Sequence, residues 1–158
     1  MRALISVVDD IVVKKASGAA QEAYFVRDCV SYFEDNPDPL VVKSFDFRVT
    51  SSYQVKRTKF VQYEYKMERL FPISEEDRRF LSRVYQITED SRHYPTDYIR
   101  KSFPDVQGEL LEFTNTVYNN RMFWDFHDGN VMKTARGQYK LIDLEGLERD
   151  YMESRFAQ

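Results

Sequence analysis

The chain has 158 residues and a formal net charge of −3, from 23 basic and 26 acidic side chains. This length fits one domain or two small lobes that share a core, and it excludes a large multidomain enzyme. The near balance of charge argues against a protein whose main partner is nucleic acid. A single cysteine, Cys29, excludes an internal disulfide framework and a cysteine-rich zinc site, which is typical of a reducing compartment. The sequence has no apolar run long enough to span a membrane and no apolar signal-peptide core near Met1, so we expect a cytoplasmic protein without a membrane partner.

The first part of the chain is predicted to be a sheet with one helix. Residues 3–15 are rich in Val and Ile and are interrupted by Asp9-Asp10, which predicts two strands joined by a tight turn. After Ser17-Gly18, spacings of four, three and four residues predict a helix to about residue 35. One face of that helix carries Glu22, Val26, Cys29 and Phe33. Residues 40–65, beginning with Leu40-Val41-Val42, alternate or are β-branched and predict the strands that complete an antiparallel sheet.

The second part is predicted to be mainly helical. Ser74 is a suitable cap for a helix that continues to about residue 88, and residues 88–103 are polar and are predicted to be irregular. A second helix is predicted from about residue 104 to 120, with a stripe formed by Val106, Leu110, Phe113 and Val117. We therefore expect an α+β fold of two lobes, 1–66 with the sheet and helix and 67–158 with the helices and a final hairpin.

Candidate chemistry concentrates between residues 124 and 146. Residues 131–133 and 139–142 predict a hairpin. If Asn130 and Asp143 face each other across it, their positions sum to 273 and the turn is centred between residues 136 and 137. An amide oxygen and a carboxylate at one strand end, with Asp125 shortly before, suit magnesium, which usually keeps waters and substrate phosphates. The aromatic residues around Asp125, namely Phe123, Trp124 and Phe126, are predicted to anchor this loop in the core.

Two motifs in this region resemble the protein-kinase-like superfamily. The run D-F-H-D-G-N at residues 125–130, followed by L-I-D-L-E-G at 141–146, is similar to the catalytic loop and metal-binding turn of the aminoglycoside and choline phosphotransferase branch. The resemblance implies a fold of two lobes that binds ATP and Mg²⁺. It assigns Asp125 as the base for a substrate hydroxyl, and Asn130 and Asp143 as magnesium ligands.

The same resemblance extends to the first part of the chain. The run Ile11-Val12-Val13-Lys14 is similar to V-A-I-K, which implies that Lys14 holds the nucleotide phosphates and that Glu22 on the next helix orients it. Only one of Lys14 and Lys15 can point inward, because strand side chains alternate. Residues 61–67 resemble the strand and hinge that contact adenine through the backbone, which implicates Glu64 and Tyr65.

The departures from the family pattern keep a second hypothesis open. Gly18 is the first glycine of the sequence, so no glycine-rich phosphate loop precedes it, and only twelve residues follow Gly146, which predicts a reduced helical lobe. The resemblance with these departures therefore implies either a minimal kinase that transfers the γ-phosphoryl group to a hydroxyl of a protein or small molecule, or a catalytically weak or inactive pseudokinase module that binds a protein partner, such as one a virus carries.

The residues of the candidate loop are also compatible with different chemistry. Taken one at a time, Asp125, Asp128 and Asn130 are ordinary turn residues, and His127 with two aspartates also suits a metal hydrolase. Transfer of a nucleotidyl group needs the same metal and phosphate ligands. A homodimer can supply surface that the short second lobe lacks.

Overall fold

A computed structural model describes residues 3–106 and 108–158, which fold as two compact units, Met1–Arg69 and Leu70–Gln158. The described residues contain a four-stranded antiparallel sheet, a two-stranded sheet and five α-helices. The predicted α+β class is therefore confirmed. None of the helices in these ranges has the length and apolar character needed to cross a membrane.

The first unit is the sheet with one helix. Its elements are β1 (Ala3–Val8), β2 (Ile11–Ala19), α1 (Ala20–Asp35), β3 (Ser44–Val55) and β4 (Thr58–Glu68). The strand order is β1-β2-β4-β3, so β4 lies between β2 and β3. Two-residue turns close both hairpins, and Asp9 and Lys56 take positive φ values of 57° there. β4 continues past the predicted end of the first lobe at residue 66.

The core of this unit lies between α1 and the sheet. Alternate residues of β4 are buried, as are the predicted apolar positions of α1. The buried side chains are Val26, Cys29, Val30 and Phe33 of α1 and Val61, Tyr63, Tyr65 and Met67 of β4. Glu22, predicted on the same helical face, is exposed. The helix therefore turns its first-turn carboxylate to solvent.

The strand predicted at residues 40–42 does not belong to the four-stranded sheet. The carboxylate of Asp38 accepts a hydrogen bond from the backbone N–H of Leu40 at 2.8 Å, and its carbonyl accepts one from Val41 at 3.2 Å. This local turn occupies backbone groups that a ladder needs. Val41 and Val42 are nevertheless buried, so the apolar composition of this segment reflects its burial in the core and not a strand of the sheet.

The second unit is helical with one short hairpin. Its elements are α2 (Glu75–Ser91), α3 (Thr96–Ser102), α4 (Glu109–Asn119), β5 (Val131–Lys133), β6 (Tyr139–Leu141) and α5 (Arg149–Phe156), with single 3-10 turns at Asp128–Asn130 and Leu144–Gly146. The predicted cap of α2 is confirmed, because the Ser74 side chain accepts a hydrogen bond from the Asp77 N–H at 3.1 Å.

Two predictions for the middle of this unit were wrong. Residues 88–103 are not wholly irregular, since α3 forms around the fully buried Ile99. α4 begins at Glu109 instead of near residue 104, because Gly108 at φ 96° interrupts the helical backbone. Val106 consequently lies outside the helix whose stripe it was predicted to join. The helix α5 near the end of the chain was not predicted at all.

Candidate functional site

The loop before β5 is fixed by the segment that follows β6. The backbone N–H of Trp124 donates to the carbonyl of Gly146 at 3.0 Å, and Phe123 forms an isolated β-bridge with Leu147. The Phe123 ring packs so closely on Gly146 that a Cβ at that position would lie 1.8 Å from the ring. Only glycine fits there, and this contact explains why the sequence needs Gly146 in the second motif.

The aromatic residues of the loop differ in burial. Phe123 and Phe126 are buried, as predicted, but Trp124 is 65% exposed. The prediction that all three anchor the loop in the core was therefore wrong for Trp124. Its indole N–H donates to the carbonyl of Glu145 at 3.3 Å, so the ring is held on the surface beside Asp125.

Asp125 presents a carboxylate that solvent still reaches. Its side chain is 36% exposed. One oxygen lies 3.5 Å from the hydroxyl of Tyr85 and the other lies 3.6 Å from Nε2 of His127. These contacts are longer than ordinary hydrogen bonds, so they do not saturate the carboxylate. Asp125 can therefore accept a further proton or hydrogen bond from an incoming hydroxyl group.

His127 is oriented by the backbone of its own loop. Its Nδ1 accepts a hydrogen bond from the N–H of Gly129 at 3.0 Å. Its Nε2 lies 3.2 Å from Nδ2 of Asn130 and 3.6 Å from the nearer carboxylate oxygen of Asp125. A Cβ on Gly129 would lie 2.8 Å from the imidazole Cε1, so glycine lets the ring approach the loop backbone closely.

Asn130 connects the loop to the hairpin. Its side-chain Nδ2 donates to the backbone carbonyl of Asp125 at 2.8 Å. The backbone carbonyl of Asn130 accepts a hydrogen bond from the N–H of Ile142 at 3.1 Å. The residue is buried. Because the amide nitrogen is held by Asp125, the amide oxygen is the atom that can face a cation.

The hairpin register differs by one residue from the prediction. Val131 pairs with Leu141 and Lys133 with Tyr139, so Asn130 faces Ile142 and Asp143 comes one position later. The predicted pairing of Asn130 with Asp143 was therefore wrong. Gly137 takes φ 87° in the turn, which fixes the loop geometry and hence the register. Asp143 follows directly after the residue that bonds to Asn130, so the ladder does not place it opposite Asn130.

The donor chemistry of this strand end fits magnesium. Asn130 and Asp143 supply one amide oxygen and one carboxylate, both hard ligands. The described part of the chain has no cluster of three or more His, Cys, Asp or Glu side chains placed to hold a metal. If Asn130 and Asp143 held a cation, waters and substrate oxygens would complete its shell, which is the usual mode of Mg²⁺.

Helix α2 holds both the loop and the hairpin. The guanidinium of Arg78 lies 3.5 Å from the Asp128 carboxylate. The hydroxyl of Tyr139 donates to the Asp77 carboxylate at 2.7 Å. Sequence analysis missed these residues and Tyr85, since each partner is forty or more positions away. No local pattern signals such contacts.

A cavity of about 590 Å³ lies beside Asp125 within the second unit. Its walls are aromatic and acidic, with Tyr85, Glu89, Tyr118, Trp124, Glu148 and Asp150 among them, and Arg121 adds a basic group to the lining. Burial, together with the charges of Glu89 and Asp125, raises the pKa of Tyr118 to about 12. Glu89 and then Asp125 raise the pKa of Tyr85. Acidic neighbours are thus the main cause of the raised pKa of Tyr85, whereas burial is the main cause for Tyr118.

The first unit places the two candidate lysines differently. Lys14 is 6% exposed and lies opposite Tyr65 in the β2–β4 ladder, with its ammonium 5.8 Å from the centre of the Tyr65 ring. Lys15 is exposed. The alternation of β2 therefore turns Lys14, and not Lys15, into the protein, which answers the question the sequence left open about their orientation.

Glu22 and Glu64 lie in settings that the sequence did not indicate. Glu22 is exposed in the first turn of α1, and its carboxylate lies 3.0 Å from the place a Cβ on Gly18 would occupy. Because solvent reaches the Glu22 carboxylate, its charge does not require a cation beside it. Glu64 is buried within β4 and forms an ion pair with Arg48. The chain leaves the sheet only after Glu68, so Glu64 and Tyr65 lie inside the ladder rather than in a linker.

The structure thus gathers Asp125, His127 and Asn130 at one strand end of the second unit, with Asp143 next to the residue that bonds to Asn130. Lys14, Glu22, Glu64 and Tyr65 belong to the first unit. Comparison of the sequence with protein-family models and with curated proteins gives no match.

Proposed function

We propose that this chain is a minimal kinase-like phosphotransferase that binds ATP with Mg²⁺ and transfers the γ-phosphoryl group to a hydroxyl acceptor. The observation that carries the proposal is the geometry of one loop. The side-chain amide of Asn130 is held by the backbone carbonyl of Asp125, while the Asp125 carboxylate lies 3.5 Å from the Tyr85 hydroxyl and stays accessible to solvent. A phosphotransferase needs an accessible carboxylate of this kind to position the attacking hydroxyl beside a metal–phosphate complex.

Each residue has a distinct part in the proposed reaction. Asp125 accepts the proton of the acceptor hydroxyl while the oxygen of that hydroxyl bonds to the γ-phosphorus. The bond from the γ-phosphorus to the bridging oxygen of ADP breaks at the same time. Asn130 and Asp143 would hold Mg²⁺, which would neutralise charge on the phosphate oxygens. Lys14, the inward-facing lysine of β2, binds phosphate oxygens. The exposed position of Glu22 gives no support to the part that the resemblance implies for it, the orientation of Lys14.

The cavity beside Asp125 suggests the charge of the acceptor. Three carboxylates, Glu89, Glu148 and Asp150, line it with aromatic rings. A cationic group gains from both, through charge attraction and through cation–π contact. We therefore favour an acceptor whose hydroxyl lies close to a positive charge, whether it is a small molecule or a basic segment of a protein.

The test of the proposal is transfer from ATP labelled on the γ-phosphate, with Mg²⁺, by the wild type and an Asp143→Ala variant. Each is incubated alone and with cell extract, and both hydrolysis and labelled products are measured. Transfer by the wild type that is lost in the variant supports the proposal. No transfer and no hydrolysis under any of these conditions contradicts it.

The acidic turn of the first hairpin favours a second candidate, a binding module without transfer activity. Asp9 and Asp10 form the β1–β2 turn, and their charge opposes phosphate binding near them. Thermal unfolding with and without ATP and Mg²⁺ separates the two. A ligand at a hundred times its dissociation constant raises the free energy of unfolding by about 2.7 kcal/mol. A module that needs no nucleotide shows no change in its unfolding temperature.

A further inference from the structure

Strand β1 is an edge strand with an unusual composition. Among the described residues it pairs with β2 alone, and all six of its residues are exposed. Apolar side chains cover both of its faces, with Leu4 73%, Ile5 62% and Val8 63% exposed. Protein sheets usually protect such edges with charges, proline or a bulge. β1 contains no charge or proline, and its register with β2 is continuous.

We propose that β1 pairs antiparallel with β1 of a second copy of this chain, so that two four-stranded sheets join into one sheet of eight strands. This proposal does not depend on the phosphotransferase activity. It identifies a surface for self-association that lies wholly in the first unit.

The register with β2 shows which backbone groups face the partner. A two-residue turn joins Val8 and Ile11, so these two form the hydrogen-bonded pair next to the turn. Such pairs alternate along an antiparallel ladder. Leu4 and Ser6 therefore bond to β2 as Val8 does. The N–H and C=O groups of the odd-numbered residues, with Ile5 at the middle, point to the outer edge.

The twofold pairing joins these outward groups. Ile5 then lies opposite Ile5 of the second copy, and Ala3 lies opposite Val7 of the second copy. Helix α1 packs on β2, β3 and β4, so the apolar side chains of β1 extend beyond it. A second β1 supplies apolar neighbours on both faces at once, because its own side chains alternate in the same way.

Charge at the ends of the strand favours the antiparallel self-pair. In the sequence a basic residue, Arg2, precedes β1, and two acidic residues, Asp9 and Asp10, follow it. Antiparallel pairing brings the basic end of one strand to the acidic end of the other, whereas parallel pairing would bring like charges together. The uncharged middle of the strand meets only itself. The edge is therefore complementary to a second copy of the same strand.

A proline substitution tests the pairing directly. Ile5→Pro removes an N–H that β2 does not use, and proline is tolerated at such edge positions. The matched control is Gln54→Pro on β3, the other edge, since Gln54 comes one residue before the hydrogen-bonded pair Val55 and Thr58 and also points outward. Association is measured by analytical ultracentrifugation over micromolar to millimolar concentrations. Circular dichroism checks that each variant is folded.

We expect the wild type and Gln54→Pro to dimerise with the same affinity, and Ile5→Pro to associate at least ~10-fold more weakly. A wild type that stays monomeric over the whole range overturns the proposal, and a strand from a different protein would then have to be sought. Dimerisation of Ile5→Pro with wild-type affinity overturns it as well, as does a loss confined to Gln54→Pro.

A charge exchange keeps the proposal testable if the proline variant fails to fold. Ile5→Lys and Ile5→Glu each place like charges opposite one another across the twofold axis, which weakens each homodimer. An equimolar mixture of the two places opposite charges there. We expect the mixture to form heterodimers more tightly than either variant dimerises alone. Equal association of the mixture and the separate variants overturns the proposed register.

Discussion

The side-chain nitrogen of Asn130 donates a hydrogen bond to the backbone carbonyl of Asp125 at 2.8 Å. This bond couples two positions five residues apart in the sequence. It fixes the backbone under the candidate base and at the same time turns the Asn130 oxygen away from Asp125. The same nitrogen lies 3.2 Å from Nε2 of His127, so one side chain contacts both the start and the middle of the loop.

Replacing Asp125 tests the assignment of the base. We expect Asp125→Asn to lower the rate of label transfer by at least ~100-fold, because positioned general bases contribute about 10²–10⁴-fold. The control is Asp128→Asn in the same loop, where the carboxylate contacts Arg78 at 3.5 Å. That variant should retain most of the transfer rate. Equal rates for both variants would show that Asp125 is not the base.

Replacing Asn130 separates its two functions. Asn130→Ala loses the bond to Asp125 and the candidate ligand, so we expect a loss of about 1–3 kcal/mol in unfolding free energy, the cost of an unpaired buried group. Asn130→Asp keeps an oxygen for the metal but sets a carboxylate against the Asp125 carbonyl. Chemical denaturation measures the first effect. Dependence of nucleotide binding on Mg²⁺ concentration should be weakened more by the alanine than by the aspartate.

The close packing of Gly146 on Phe123 predicts a strong steric coupling. Gly146→Ala places a Cβ inside the Phe123 ring, and overpacking of this kind costs about 1–3 kcal/mol. Phe123→Ala is destabilising by itself because the ring is buried. In the double variant the added methyl should cost much less, and a double-mutant cycle measures that difference. Additive losses would contradict the contact.

Lys14 and Lys15 form a matched pair for nucleotide binding. If Lys14 holds the phosphates, Lys14→Met abolishes the thermal stabilisation by ATP and Mg²⁺. Lys15→Met leaves it intact, because the Lys15 side chain is exposed on β2. The unfolding temperature without nucleotide serves as the reference for each variant. Stabilisation that survives in Lys14→Met but not in Lys15→Met would reverse the assignment.

Stability at high pH should depend on Tyr118. Burial raises its folded-state pKa to about 12 from the ordinary value of 10.0, so the folded state binds this proton more tightly than the unfolded state does. The stabilisation is complete below pH 10 and is lost as the pH rises from 10 to 12, with a slope of at most ~1.4 kcal/mol per pH unit. Denaturation of wild type and Tyr118→Phe across this window measures it, and the variant should show the shallower decline. Identical declines would show that Tyr118 does not contribute.

The sequence determined the elements that local chemistry controls. Ser74 and the acids after it define the start of α2, and Gly137 with its neighbours defines the β5–β6 turn. The burial of Cys29 followed from its spacing along α1. These features depend on residues within one or two turns of each other, so a pattern in the sequence is enough to find them.

Local patterns failed where a backbone group had a competing partner or an unfavourable conformation. Asp38 captures the N–H of Leu40 and prevents a ladder, although residues 40–42 have strand composition. Gly108 breaks the helical stripe that the apolar spacing of Val106 and Leu110 predicted. In each case the side-chain pattern did not specify the backbone conformation.

Only the tertiary structure decided how the candidate site is held. The contacts of Tyr85 with Asp125 and of Arg78 with Asp128 join residues forty and fifty positions apart. The candidate site residues, Asp125, Asn130 and Asp143, were evident from the order of their motifs. Their orientation was not, because distant contacts set the geometry of a polar site and leave no periodic trace in the sequence.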